Sequence, residues 1–398
     1  MAEAARDVLI TGIGLVSSLG EGPDIHWQRL MQARPGADTT TFAPYVVHPL
    51  ARIEFDKQIP KKGDQRQMEQ WQRIGTYAAG LALDSAGVKG NRELLARMDL
   101  IVAAGGGERD CAVDSAILTG LKAAANPGAF LNERLMSDLR PTLFLGQLPN
   151  LLAGNISIVH GVTGSSRTFM GEETAGLNAM HIAMARVAAG QSEIVLVGGG
   201  HNGERPDLLL LFETGGYALK GEFAPVFERA QRGGGMAIGS LGAFLVLESA
   251  DHAAARGARA LARLSRVMSD RTGPQPGETT AALERMWAPL EPSLEPGHCA
   301  ILSGASGAEP ATAAELAFLA RHADVPVRAT GTHIGHGVEA QFPMNIALAS
   351  LALMHAMLYP AADASALERA MDGHLRQVIV TGVGHWRGEG MALVEAAS

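Results

Sequence analysis

Short apolar runs alternate with longer stretches of helical character along the whole chain. Eight runs have the length of buried strands, at positions 7–12, 100–104, 193–197, 242–248, 260–268, 299–302, 378–383 and 391–394. Six stretches between them indicate helices, at 68–87, 174–189, 279–290, 311–321, 340–359 and 365–374. Most of the strands are apolar throughout, so we expect helices on both faces of each sheet. The pattern predicts an α/β fold.

One short pattern occurs twice and indicates an internal duplication. Residues 8–14 read VLITGIG, and residues 378–384 read VIVTGVG. Seven residues do not establish a duplication alone, but they fit a fold made of two similar halves. We place the halves at residues 1–250 and 251–398, and because no long linker separates them, we expect one compact body.

Composition and charge exclude several classes of protein. The chain has 398 residues, 47% of them hydrophobic, and 48 glycines. This composition is typical of a large packed core and not of a disordered chain or a fibre. The net charge is −8 with a pI near 5.9, which gives no support for nucleic-acid binding.

Two further features bear on where the protein acts. Cys111 and Cys299 are too few for a disulfide framework, and we expect reduced thiols in a cytoplasmic protein without a signal peptide. The segment 340–359 lacks charged residues, yet it contains Gln341, Pro343 and Asn345. It therefore indicates a buried core helix and no membrane span.

Three local motifs resemble cofactor sites without completing them. Gly12-Ile13-Gly14 lacks the third glycine of a dinucleotide-binding turn. The glycine clusters at 105–107, 198–200 and 233–235 lack the lysine and hydroxyl residue of a phosphate loop. His333 and His336 have no third ligand at a suitable spacing. We therefore predict neither a cofactor nor a metal.

Three stretches together resemble the β-ketoacyl-acyl-carrier-protein synthases of types I and II. They are the opening VLITGIGLVSSLG, the segment 55–88 with a basic loop before a helix, and the segment 161–200 with the glycine spacing of the nucleophile region. The resemblance implies the thiolase-like fold, with two similar βαβαβαββ halves layered α-β-α-β-α. Weaker matches extend it over nearly the whole chain.

The family's nucleophilic cysteine has no counterpart in this resemblance. Counting back from Gly176, the matching position is Glu173. A cysteine thiolate at the start of a helix accepts an acyl group from a thioester, whereas a carboxylate cannot hold a stable acyl thioester. Neither Cys111 nor Cys299 substitutes for it, and we expect both to be core residues. Glu173 is either a functional replacement or an ordinary residue at the helix N-terminus.

The resemblance also assigns the remaining positions of the family's active site. The first histidine falls on Ser303, for which a plain structural role is the simpler interpretation, and the second histidine is retained as His336. His336 is either functional or a core histidine left over from the family pattern. The family's lysine falls on Gly331 and its glutamate on Asn345.

The glycine-rich loop that gates the acyl pocket in the family matches residues 384–389. Its side chains here are those of His385, Trp386 and Arg387. They either block or reshape the pocket, or they form a surface turn.

The same resemblance implies which partners the protein binds. Lys61, Lys62 and Arg66 form a basic cluster in an acidic chain, and the family uses this segment to dock acyl carrier protein, which is acidic. A solvated loop is the alternative. The family forms dimers, and we expect the strand at 193–197 to pair across the interface, in a homodimer or in a heterodimer with a synthase that keeps its cysteine.

Three hypotheses about function remain open at this point. The first is a partner subunit, similar to chain-length factors, in fatty-acid elongation, very long acyl chains included, or in polyketide elongation. The second is a malonyl-carrier decarboxylase or an unusual condensing enzyme that acts through His336 and Glu173. The third is a structural scaffold that only binds the carrier.

Overall fold

A computed structural model of the chain describes residues 5–273, 275–365 and 367–397. Its strands, numbered β1 to β13 in chain order, are Val8–Ser17, Gly20–Glu21, Val47–His48, Asp99–Ala104, Ser166–Met170, Ile194–His201, Ile238–Gly239, Leu241–Ser249, Ala262–Asp270, Cys299–Ser303, Val327–Ala329, Gln377–Val383 and Glu389–Ala396. Its helices, α1 to α15, are Pro23–Met31, Lys62–Gln67, Gln70–Ser85, Arg92–Arg97, Cys111–Leu121, Pro127–Asp138, Leu143–Gly146, Leu151–His160, Glu173–Ala188, Pro206–Thr214, Ala250–Ala255, Glu278–Trp287, Ala311–Leu319, Gly331–Ile334 and Gln341–Met354.

The long strands form one sheet, continuous through β1 and β9, whose two halves, here called the first and second sheets, have identical topology. In the first half the strands lie side by side in the order β5-β4-β6-β8-β1, and in the second half in the order β11-β10-β12-β13-β9. In both halves, the long strand that comes third in the chain, β5 or β11, lies at the outer edge. Parallel and antiparallel pairs also occupy the same positions in the two strand orders. The halves join where Leu9 and Ile10 of β1 pair with β9. The duplicated α/β fold is confirmed.

Two central helices separate the sheets and complete a five-layer arrangement. Helix α9 packs against β4 and β6 of the first half and β9 of the second, and α15 packs against β8, β12 and β13. Helices α3 and α8 cover the outer face of the first sheet, while α12 and α13 cover that of the second. This is the predicted α-β-α-β-α order. We keep a boundary between residues 250 and 251 as a proposal, at the start of α11.

The predicted helix at 68–87 shows how local chemistry sets element boundaries. Glu69 and Gln72 form a reciprocal capping box at the N-terminus of α3. The helix ends two residues before Gly87, which adopts a φ of +68° that favours glycine. The observed helix, Gln70–Ser85, therefore lies within the predicted range.

The predicted helix at 365–374 is wrong. Residues 365 and 367–374 form no helix, and residue 366 lies outside the described residues. Glu368 instead accepts hydrogen bonds from the backbone N–H groups of Ala329, at 2.7 Å, and Ala362, at 2.8 Å. The side chain thus fixes an irregular segment against β11.

The expected dimer strand at 193–197 is also misplaced. It belongs to β6, whose two edges pair with β4 and β8, so no edge of β6 is open to a second chain. Among the described strands, β5 and β11 each have an unpaired edge, and β5, which pairs only with β4, is largely exposed.

The expectations for the cysteines and for the long apolar segment have different outcomes. Cys299 is buried, as predicted, but Cys111 is partly exposed because it is the first residue of α5 at the molecular surface. The apolar segment forms α15, which is buried along nearly its whole length. Across residues 5–273, 275–365 and 367–397, no helix combines the length and apolar character needed to cross a bilayer.

Candidate active site

Glu173 lies at the centre of a hydrogen-bonded cluster at the N-terminus of α9. Its side chain is buried, and its Oε1 accepts hydrogen bonds from Nε2 of His336 at 2.9 Å and from Nδ1 of His385 at 2.8 Å. The backbone N–H of His385 donates a third bond to the same oxygen at 3.1 Å. Oε2 has no hydrogen-bond partner among the described residues. One carboxylate oxygen therefore organises two imidazoles.

The electrostatics of this cluster favour an ionised carboxylate. Burial alone would raise the pKa of Glu173, but the hydrogen bonds from His336 and His385 outweigh it and lower the pKa well below its usual range. Burial would lower the pKa of His385, but its hydrogen bond to Glu173 and the nearby carboxylate charge raise it. The cluster thus contains an anion stabilised by imidazole N–H groups.

The position of His336 is fixed by backbone contacts on both sides. Its N–H donates to the carbonyl of Ala237 at 2.8 Å. The preceding Gly335 has a φ of +70°, and a Cβ there would lie 2.9 Å from the backbone of Gly239. Nδ1 of His336 is buried without a partner among the described residues. The imidazole therefore has one nitrogen committed to Glu173 and one that is free.

The loop after β12 brings His385 to the same point. The backbone of this loop closes a tight turn, in which the N–H of Gly384 donates a hydrogen bond to the carbonyl of Gly388 at 2.7 Å. The His385 ring packs edge-on against Phe212 and Tyr217, with centroid distances of 5.4 and 4.8 Å. The loop that the sequence suggests as a gate therefore contributes directly to the Glu173 cluster.

The other two side chains of this loop point elsewhere. Trp386 is 60% exposed, and the Arg387 guanidinium lies 4.1 Å from the centroid of its ring. Neither forms a hydrogen bond with Glu173 in the described part of the chain. Of the three suggested gate residues, only His385 reaches the cluster.

Ser303 does not join the cluster either. It is fully buried at the end of β10, where its Oγ donates to Oε1 of Glu315 at 2.7 Å and accepts from Ala305 N–H at 3.1 Å. Burial raises the pKa of Glu315, although hydrogen bonds from Thr381 and Ser303 act in the opposite direction. The contacts of Ser303 are those of a residue that stabilises the interior of the second half.

Two spaces of very different size adjoin Glu173. A cavity of about 10 Å³ is lined by Glu173, His336, Phe342 and Asn345 among others, and it holds at most about one water molecule. A cleft of about 1040 Å³ opens on the other side of His385 and is lined by Glu172, His201, Glu339 and Trp386. An acyl chain fits only the cleft.

The cleft contains a second buried pair that the sequence interpretation missed. Nδ1 of His201 lies 3.1 Å from Oε2 of Glu339, and Nε2 of His201 has no partner among the described residues. A signal was available, because Glu339 lies three residues after His336, which the resemblance had already assigned to the active site. Glu172, Glu173 and His385 also place ligand atoms within 4.8 Å of one another.

The basic cluster lies on the surface around α2. Lys61, Lys62 and Arg66 are exposed, and Lys62 forms an ion pair with Asp56 at 2.5 Å. Helix α3 follows α2 closely in the chain, and its Trp71 lines the cleft. The cluster is therefore accessible to a partner.

The neighbourhoods of the two thiols are separate from Glu173. The Sγ of Cys111 lies 4.0 Å from Oδ1 of Asp207, and Cys299 packs into the core of the second half. Neither thiol takes part in a hydrogen bond with Glu173, His336 or His385 within the described residues.

Comparisons with known proteins point to the same family as the sequence resemblance. The family described as β-ketoacyl synthase, N-terminal domain, matches residues 5–253. The 3-oxoacyl-[acyl-carrier-protein] synthase 2 of Vibrio cholerae serotype O1 is 24% identical over 273 residues, which are 65% of this chain and 62% of that protein. The match thus spans about three fifths of that relative's length. A putative polyketide β-ketoacyl synthase 1 from Streptomyces halstedii is 25% identical over 90% of this chain and 88% of its own.

Solved structures share the fold over almost the entire chain. The ishigamide ketosynthase/chain length factor has a TM-score of 0.80 at 19% identity, with 99% of this chain and 100% of that chain covered. A β-ketoacyl synthase from Burkholderia phymatum STM815 has a TM-score of 0.79 at 19% identity, with the same coverage. The thiolase-like fold is therefore shown by structure, and the family match covers well over half of the sequence. This chain belongs to the β-ketoacyl synthase family.

Proposed function

We propose that the protein is a non-nucleophilic subunit that works with an intact synthase in fatty-acid or polyketide elongation. The observation that carries the proposal is Glu173 at the start of α9, with Oε1 hydrogen-bonded to His336 and His385. The family's reaction requires a thiolate there, and a carboxylate does not form the acyl thioester.

The space around Glu173 supports the same conclusion. The cavity beside it, about 10 Å³, has no room for an acyl chain. The larger cleft is reached past His385 and is lined by apolar side chains that include Leu208, Leu211 and Phe212. We infer that the subunit shapes a space for the growing chain, while a partner supplies the sulfur that carries it.

The unpaired edge of β5 supports a dimer. Met170 on this strand is 73% exposed, and Ile158 on the adjacent α8 is 70% exposed. An exposed strand edge beside apolar side chains is a typical site for pairing with another chain. We propose pairing at β5, in a heterodimer with a cysteine-containing synthase.

The exposed basic cluster supports docking of acyl carrier protein. One structural neighbour, at a TM-score of 0.73 and 16% identity, is a type II polyketide ketosynthase in complex with its acyl-carrier protein. We propose that Lys61 and Arg66, which form no ion pair within the described residues, attract an acidic carrier to the rim of the cleft. These partners and the reduced cysteines fit a cytoplasmic protein.

The decisive experiment separates the subunit from its partner. Intact-mass analysis of the purified chain with an acyl-carrier donor should show no acyl adduct, and after addition of malonyl-carrier no elongated β-ketoacyl-carrier should form. Addition of the cysteine-containing synthase should restore condensation, and a Cys→Ala variant of that synthase is the matched control. Elongation by the purified chain alone would refute the proposal.

A second candidate function, malonyl-carrier decarboxylation, is favoured by one observation. His385 supplies a second imidazole beside His336, at a position different from the family's first histidine. Both N–H groups donate to Glu173 in this structure, and only after release from it would they stabilise the enolate formed when carbon dioxide leaves. The negative charge of Glu173 opposes approach of a malonate carboxylate. Carbon dioxide release by the isolated chain that disappears in His336→Ala would establish this activity in place of the first.

A further inference from the structure

The N-terminus of α9 collects three side chains that can ligate a metal ion. Glu172, Glu173 and His385 each place one ligand atom within 4.8 Å of the other two. Glu172 and His385 line the large cleft, and Glu173 lines the small cavity behind them. The three side chains therefore stand at the point where the two spaces meet, and a cation could reach them through the cleft.

One buried oxygen in this group lacks any hydrogen-bond partner. Oε2 of Glu173 is unpartnered among the described residues, although the residue is only 5% exposed. A buried, ionised oxygen without a donor is costly, and a cation is one of the few groups that removes the cost. Oε1 is already occupied by His336 and His385, so ligation through Oε2 leaves the His336 bond in place, whereas His385 ligates through Nδ1 only when that nitrogen gives up the proton it donates to Oε1.

More carboxylate and imidazole groups line the cleft near the same point. Glu339 is one of them. The side chain of Glu172 forms no hydrogen bond within the described residues. Nε2 of His201, paired through its other nitrogen with Glu339, is buried without a partner on the same cleft. The charged and imidazole groups that line the cleft thus include those of Glu172, Glu339, His201 and His385, together with Arg109 and Arg205.

We propose that Glu172, Glu173 and His385 bind one divalent transition-metal ion, with Zn²⁺ the best match. Imidazole nitrogen and carboxylate oxygen both ligate Zn²⁺, and three protein ligands leave its fourth position open. Mg²⁺ prefers oxygen ligands alone, so the imidazole of His385 disfavours it. Glu339 and His201 line the same cleft. The inference concerns the chain by itself and does not depend on the proposed partner role.

The test is a direct binding measurement on the tag-free, chelator-treated full chain. Isothermal titration calorimetry with Zn²⁺ should give one site per chain, and the same titration with Mg²⁺ should give at least about a hundredfold weaker binding. Glu172→Gln should weaken Zn²⁺ binding at least about tenfold, because it removes one charged ligand. His374→Gln, on the surface, should leave the affinity unchanged.

Two results would overturn the inference. One is the absence of a one-to-one Zn²⁺ site in the wild-type chain. The other is unchanged Zn²⁺ affinity in both Glu172→Gln and His385→Gln. Glu172 makes no hydrogen bond in the described part of the chain, so Glu172→Gln should fold normally, and its circular dichroism melting curve checks this.

Discussion

At the scale of single residues, we propose that Glu173 keeps the negative charge of the family's site without its thiolate chemistry. The free N–H groups and dipole at the N-terminus of α9 favour a negative charge, whether it is a thiolate or a carboxylate. Hydrogen bonds from His336 and His385 then stabilise that charge in a buried setting. On this proposal the site retains an anion but has lost the sulfur chemistry.

This arrangement predicts a large stability effect for Glu173→Ala. The change leaves two buried imidazole nitrogens without their acceptor, at a cost of about 2 to 4 kcal/mol in the free energy of unfolding. Urea denaturation followed by circular dichroism measures the difference. Glu172→Ala is the matched control, since the neighbouring side chain is half-buried and forms no hydrogen bond in the described region. Equal decreases in the free energy of unfolding of the two variants would contradict a structural role for the Glu173 cluster.

At the scale of elements, the cluster depends on how closely the loop at 384–388 approaches α9. A Cβ at Gly388 would lie 1.9 Å from Cγ2 of Thr174, and the residue has a φ of +85°. The absence of a side chain at Gly388 therefore lets the loop close over the helix N-terminus. His385 reaches Glu173 only because of this approach.

Gly388→Ala should push the loop away from α9. We expect a loss of about 2 to 4 kcal/mol in the free energy of unfolding, from the contact with Thr174 and from the positive φ. In a Thr174→Ala background the same substitution should cost less, since the methyl group that blocks the Cβ is gone. A double-mutant cycle by urea denaturation measures this coupling.

The matched glycine control for that cycle is Gly63→Ala in α2. A Cβ at Gly63 meets nothing within 4 Å, and the residue is exposed. The substitution should be neutral or slightly stabilising, because alanine favours helix. Additive effects of Gly388→Ala and Thr174→Ala would mean that the close approach is not what positions the loop.

At the scale of the whole molecule, the alternation of strands and helices and the sign of a duplication were within reach of the sequence, whereas β5 and β11 were not among the predicted strands. Apolar runs of strand length and the two copies of the β1-like pattern required only local information. Local information was not enough to avoid the errors in the helix at 365–374 and in the dimer strand. Both depend on tertiary facts, namely the hydrogen bonds of Glu368 and the pairing of both edges of β6.

In the candidate site, too, some features could be predicted from the sequence and others could not. Register against the family placed Glu173 and His336 at matching positions, and the structure puts them 2.9 Å apart. The contact of His385 with Glu173 joins positions 212 residues apart and follows from the fold of the loop, which no local pattern encodes. His201 and Glu339 are a pair 138 residues apart for the same reason.

Buried histidines give the whole molecule a predictable response to acid. Burial lowers the pKa of His26, His160 and His333 to about 4 and that of His48 to about 3. In the unfolded chain these imidazoles have pKa values near 6.5. Between those values the unfolded state binds more protons than the folded state, so the free energy of unfolding falls as pH falls.

His26 offers the cleanest test of this linkage. Its imidazole is fully buried and lies 2.9 Å from the Ser17 hydroxyl and 2.7 Å from the Gly22 carbonyl. Urea denaturation from pH 6.5 to 4.5 should show a stability slope that is smaller in His26→Gln by up to about 1.4 kcal/mol per pH unit, the value for one proton. His374→Gln, at an exposed site, should leave the slope unchanged. Parallel curves for the wild type and His26→Gln would mean that His26 takes up its proton equally in both states, so burial would not be what makes the fold sensitive to acid.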